Sequence, residues 1–174
     1  MEEEFLSLLK STKREGIDSL IDFLKKTDFF KAPASTKFHG NFEGGLLKHK
    51  IETSVVPIDI PSDSVIIIAL LHDICKANYY KIDYRNAKNE LGVWEKVPYY
   101  TVDDTIPYGH GEKSVMMITE YIKLTPEEKY AIRWHMGYTE PKELYTTIGE
   151  AYKKYPVALL THEADLEATY LYNL

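Results

Sequence analysis

Apolar residues recur along the chain with two different periods, and the switch between them divides it. Ile17, Leu20, Ile21 and Leu24 fall at i, i+3, i+4 and i+7, the spacing that lines one face of an α-helix. Residues 3–12 carry the same periodicity, so amphipathic helices are expected over 3–12 and 17–27. The stretch DFFKAPASTKFHGNFEGG (28–45) clusters Pro, Ser, Asn and Gly and reads as a loop. A helix over about 45–55 follows, closed by Pro57. Pro61, Ser62 and Asp63 are start signals for the next one, PSDSVIIIALLHDICK. Its β-branched run can be read as a strand, but its length and polar end favour a buried helix.

Residues 78–108 follow a period of two instead. YYKIDYR and VWEKVPYYTV alternate apolar or aromatic with polar residues around the Asn/Gly-containing NAKNELG. This pattern predicts a β-hairpin or extended flap between helices. Helical spacing resumes over 110–123. In TPEEKYAIRWHM, Thr125, Pro126 and Glu128 stand at N-cap, N1 and N3, the signature of a capping box. PKELYTTIGEAYKKY and PVALLTHEADLEATYLYNL complete the set. The expected fold is mostly α, a helical bundle with one β excursion around residues 78–108, on a single domain spanning 1–174.

Composition narrows the class. The chain has 174 residues, 44% hydrophobic and 28% charged, which is a globular composition with enough apolar surface for one core. A net charge of −6 argues against a surface that coats long nucleic acid. It leaves room for a metal-bearing or locally basic pocket that takes a small anion. The run VIIIALL is too short to span a bilayer, and MEEEFLSLLKSTKRE lacks the basic and apolar regions of a signal peptide. No membrane partner and a cytoplasmic location are expected. The single cysteine, Cys75, excludes an internal disulfide and a Cys-based zinc cage, and reads as a small buried hydrophobe.

Chemistry concentrates where the apolar run of ALLHDICKANYY meets His72 and Asp73. Imidazole and carboxylate suit first-row transition metals, and a carboxylate can bridge two ions where an imidazole cannot. Lys76, four residues after His72 and three after Asp73, falls roughly on the same face, able to hold a phosphate oxygen. A lone histidine is more often structural than a ligand. Here, however, His49, His110, His135 and Asp165 each fall on a separate expected helix and offer the ligands that such a site needs.

The series GGLLKH, LLHDICK, YGHGEKS, IRWHMG and HEADLEA resembles the HD-domain metal-dependent phosphohydrolase superfamily, and the resemblance runs through most of the chain. It is nearest to small HD-domain hydrolases of phages and Gram-positive bacteria, which share the VPYYTVDD…YGHGEKSV…AIRWHMG order. The opening HGNFEGGLLKH is similar to the matching segment of HD-type exoribonucleases. The resemblance implies an HD-domain bundle with two divalent transition-metal ions (Fe, Mn, Co, Ni or Zn). His49, His72, Asp73 and Asp165 would hold the first. Asp73 would bridge to a second, held by His110 and His135. The implied activity is hydrolysis of a phosphate ester or anhydride, with a small phosphorylated substrate, a nucleotide, and with Asp73 and Lys76 as catalytic residues. Two rivals remain: a di-iron HD-type oxygenase, and a nucleotide-binding regulatory module without turnover.

Weaker candidates for substrate contact are His39 in the Gly/Asn-rich loop, Lys113 three residues after His110, and His162 three before Asp165. Arg85 and Lys96 on the flap could grip phosphate. Trp94, Tyr99, Tyr100 and Tyr108 could stack on a base, although with 14 tyrosines in the chain aromatic positions are more often packing.

Overall fold

The computed structural model describes residues 1–36, 40–48 and 61–171. It is mostly helical with one two-stranded antiparallel sheet, as the two periodicities predict. Two helices, α1 (Glu2–Ser11) and α2 (Ile17–Lys26), open the chain. The expected helix over 45–55 is helical at 45–48, and its remainder lies outside the described residues. Helix α3 (Ser62–Leu71) leads into a short 3-10 turn, Ile74–Lys76. Strands β1 (Tyr80–Lys88) and β2 (Trp94–Val102) form the hairpin. Helices α4 (His110–Thr119), α5 (Pro126–Trp134), α6 (Tyr145–Lys154) and α7 (Val157–Tyr170) follow. Among the described residues, no helix is long and apolar enough to cross a membrane.

Helix α3 is apolar on nearly every side, and Ile67, Ile68, Leu70 and Leu71 are all buried. A helix of that kind belongs at the centre of a core. Phe5 and Leu9 of α1, Leu20 and Leu24 of α2, Ile118 of α4 and Ile132 of α5 join it in one cluster. Each such side chain contributes about 1.5–3 kcal/mol by leaving water. A smaller cluster of Trp134, Ile148, Ala151, Tyr152 and Ala158 joins α6 and α7 to the end of α5.

Three polar devices fix the helices at the site. The α5 capping box forms as read: Thr125 Oγ1 accepts from the Glu128 N–H, and the Glu128 carboxylate accepts from the Thr125 N–H at 2.8 Å. Glu128 is fully buried, and Arg14 answers its charge with Nη2 at 2.5 Å while Nε reaches Asp63 Oδ2 at 2.9 Å. Arg14 therefore ties the α1–α2 turn to the starts of α3 and α5. Gly111 supplies the third device, since a Cβ there would overlap the Arg133 backbone. Its absence lets α4 lie close on α5.

The hairpin pairs Tyr80 with Val102 and Lys88 with Trp94 in continuous register. Its tip closes because Asn89 Oδ1 accepts from the Leu91 and Val93 N–H groups, both at 3.0 Å, and Gly92 takes φ +75°. Its base is anchored where the Tyr80 hydroxyl donates to the Ala34 carbonyl at 3.2 Å. Beyond that base, most of its side chains face solvent.

Candidate metal centre

The α-helix that carries the His-Asp pair ends sooner than its sequence suggests. Helix α3 stops at Leu71, His72 caps it in αR geometry, and Asp73 takes φ −108°, ψ 21°. That is the sparsely allowed bridge region, in which many active-site residues sit. The turn that follows places Lys76 Nζ 2.7 Å from Asp73 Oδ2, so the expected i, i+3 relation is made in a 3-10 turn and not on an α-helical face. Asp73 is 2% exposed, His72 0% and His135 1%, which makes this a buried polar cluster that needs an electrostatic reason.

Four separate elements converge on it. His110, the first residue of α4, points Nε2 at Asp73 Oδ1 from 2.6 Å. His135, which caps the end of α5, brings Nε2 to 3.4 Å from the same oxygen. Asp165 on α7 places Oδ1 3.2 Å from His72 Nε2. The His135 ring lies 4.7 Å from that of His72 and 5.2 Å from that of His110, centroid to centroid. Thus His72, Asp73, His110, His135 and Asp165, far apart in sequence, meet at one place. His49 and His39 lie outside the described residues.

Hydrogen bonds on the far side of two rings decide what the near side offers. His72 Nδ1 lies 3.2 Å from the Ile68 carbonyl and His135 Nδ1 lies 2.7 Å from the Ile132 carbonyl. A carbonyl only accepts, so in both rings Nδ1 carries the hydrogen. In the neutral rings Nε2 is then a bare lone pair aimed at a carboxylate oxygen. Among the described residues His135 Nε2 has no hydrogen-bond partner, although it is fully buried. Two acceptors facing each other repel, and a cation between them removes the repulsion. Backbone-locked tautomers of this kind are how histidine ligands are commonly oriented. The donor set fits a metal: His72, Asp73 and His135 present ligand atoms within 4.8 Å of one another, and so do Asp73, Cys75 and His110.

The surrounding charges agree with that geometry. Burial works against the Lys76 ammonium, yet the adjacent Asp73 carboxylate outweighs it and holds Lys76 above its ordinary range. Burial pulls His110 below the usual histidine value, only partly opposed by Asp73, so its ring favours the neutral form that a ligand requires. Burial pushes the Tyr80 phenol up to about 12.

The weaker candidates fall elsewhere. Lys113 is buried rather than solvated. It donates to Asp104 Oδ1 at 2.7 Å and lies over the Tyr79 ring, which holds the segment before α4 against that helix. His162 donates from Nδ1 to the His135 carbonyl at 2.7 Å, and Gly137, at φ +54°, leaves its ring the space that a Cβ would fill. It therefore supports the His135 turn from behind. Arg85 and Lys96 are exposed and stand on opposite faces of the hairpin, since Arg85 pairs with Val97 and Lys96 with Asn86. One phosphate held against either face would meet only one of them.

Comparison of the chain with protein-family models, with curated proteins and with solved structures finds no match. Sequence reading missed three neighbours of the centre. Cys75 is buried, as expected of a small hydrophobe, but its Sγ also packs 3.3 Å from His110 Nδ1. Ser114 accepts the Cys75 N–H at 3.3 Å and clips the 3-10 turn to α4. Asp104 neutralises Lys113. Ser114 lies four residues after His110, one helical turn on the same face, and that spacing was the available signal.

Proposed function

We propose that the chain is a metal-dependent phosphohydrolase of the HD-domain type, acting on a phosphate ester or anhydride of a nucleotide at a binuclear His/Asp centre. One observation carries the reading: two buried imidazoles, tautomers locked by backbone carbonyls, each aim a lone pair at a carboxylate oxygen. The helical bundle with its inserted hairpin, and the convergence of ligands from α3, α4, α5 and α7, support the HD-domain assignment.

His72 and Asp165, together with His49, would hold one ion, His110 and His135 the other, and Asp73 would be shared between them. Two divalent ions held there supply Lewis acidity and an activated water near neutral pH. The protein's part is to fix orientation and charge. Asp73 Oδ1 faces His110 and His135 while Oδ2 faces Lys76, so the carboxylate cannot rotate without losing both sets of contacts. Lys76, 13% exposed at the side chain, is placed to turn from Asp73 to a phosphoryl oxygen and stabilise charge that builds there. His162 keeps His135 in place, and Ser114 keeps the Asp73–Lys76 turn in place.

The test is to load the protein with Mn, Co, Ni, Fe or Zn and screen nucleotides for release of phosphate or nucleoside, with Asp73→Ala as control. Metal-dependent release by the wild type, absent in the variant, is expected. Iron-dependent oxygen uptake with no phosphate release would assign a di-iron oxygenase instead. Tight nucleotide binding without turnover would assign a regulatory module.

A further inference from the structure

A cavity of about 670 Å³ lies between the hairpin and the segment that follows α2, lined by Thr36, Asn41, Arg85, Tyr99 and Thr101 among others. Its size is that of a small-ligand pocket. Arg85, Tyr99 and Thr101 share one face of the hairpin, because Asp83 pairs with Tyr99 and Lys81 with Thr101. The Arg85 guanidinium lies 5.4 Å from the Tyr99 ring centroid. Among the described residues Arg85 forms no ion pair with a carboxylate, so its charge faces the cleft uncompensated. The described lining offers one cation, hydroxyl groups, an amide and aromatic surface, and contains no carboxylate.

That chemistry suits a flat, uncharged, hydrogen-bonding group. Guanidinium and phenol planes stack on any base, and Thr36, Thr101 and Asn41 can bond its edge or a sugar hydroxyl. The cleft is also directional. Its inner end is Val102, whose strand partner Tyr80 follows Lys76 by four residues. Tyr99 stands three positions further out, about 10 Å at the rise of a strand. A ligand that touches both ends must extend well beyond its phosphoryl group.

From this geometry we infer that the cleft between the hairpin and the residues Thr36 and Asn41 receives the nucleoside half of the substrate, with its base stacked on the Arg85–Tyr99 pair. The inference rests on the phosphohydrolase reading for the position of the phosphate, but not for the cleft itself. Arg85 is then a specificity residue, selecting nucleotides over simple phosphate esters without touching the reacting atoms.

The experiment compares wild type with Arg85→Ala and Arg85→Lys on two metal-loaded substrates, a nucleoside monophosphate and p-nitrophenyl phosphate. Nucleoside binding, with adenosine and cytidine as probes, is followed separately by protein fluorescence. Arg85→Ala should raise KM for the nucleotide roughly 10-fold or more with kcat unchanged, leave p-nitrophenyl phosphate kinetics unaltered, and weaken adenosine and cytidine binding in parallel. Arg85→Lys, which keeps the charge and loses the plane, should not restore it. Equal kinetics of wild type and Arg85→Ala on the nucleotide, or an equal loss on both substrates, would overturn the inference while leaving the phosphohydrolase reading intact. Arg85-dependent nucleoside binding with no hydrolysis under any metal would do the reverse.

Discussion

His135 Nε2 stops 3.4 Å from Asp73 Oδ1, and no hydrogen bond joins them. Both atoms are buried, and the Ile132 carbonyl has already claimed the one hydrogen of the neutral ring. The metal-free protein therefore carries an electrostatic cost at its centre that a divalent cation would remove. An ion that binds only the folded state, at 100 times its Kd, stabilises by about 2.7 kcal/mol. For a chain of this length that is a rise in Tm of roughly 5–10 °C. Adding Zn or Mn to chelator-stripped protein should produce this rise, and Asp73→Asn should abolish it. An equal rise in the variant would mean that the ion binds elsewhere.

Arg14 is the next dependency. Its guanidinium is the cation that faces the fully buried Glu128 carboxylate, and Ser64 and Thr125 supply that carboxylate with neutral donors only. Arg14→Met would leave a buried charge without its ion, which costs about 3 kcal/mol, or roughly 6–12 °C in Tm. Because α5 begins at this network and ends at His135, the variant should also bind metal more weakly at temperatures where it remains folded. Thermal denaturation decides the matter. A loss below about 1 kcal/mol would show that the pair acts as an exposed one.

How much of this was legible depended on the range of the interaction. Thr125 to Glu128 is a local pattern, and the hairpin follows from alternation around Asn89 and Gly92, so both were readable from the chain. The early end of α3 was not, because His72 keeps helical geometry and the apolar spacing continues to Ile74. Asp73, which leaves the helix there, pairs with His110, 37 residues away. Arg14 shows the same limit, since its partners lie 49 and 114 positions on. Lys113 looks like a solvated lysine until Asp104 and Tyr79 close over it. The convergence of His72, Asp73, His110, His135 and Asp165 was expected from residue types in order. Which ring nitrogen faces the centre required the carbonyls of Ile68 and Ile132.

Acid should reveal the Lys113–Asp104 pair. The hydrogen bond from Lys113 holds the Asp104 carboxyl below its ordinary 3.8. A carboxyl with a lower pKa in the folded state binds fewer protons there than in the unfolded chain. Its stabilisation is complete above 3.8 and is lost as pH falls through the folded value. Lys113→Met removes this contribution, so the stability gap between wild type and variant should stay constant from neutral pH down to about pH 5 and narrow below about pH 4. Urea denaturation across that range measures it. A gap that does not change with pH would assign the role of Lys113 to packing over Tyr79.

Lys76 is expected to change its role with the metal. Without ions, its ammonium lies 2.7 Å from Asp73 Oδ2 and compensates a carboxylate that is 2% exposed. Lys76→Met should then destabilise the metal-free protein by about 3 kcal/mol. Once divalent ions neutralise Asp73, the same substitution should cost much less, because the charge it leaves behind is already answered. The lost function should appear in turnover instead. If Lys76 moves to the phosphoryl oxygens, its removal lowers kcat by roughly 100-fold while metal content stays at the wild-type level. Denaturation with and without metal, metal analysis and steady-state kinetics on one preparation separate these effects. An equal loss of stability in both states with kcat unchanged would make Lys76 a structural partner of Asp73 and remove it from the chemistry.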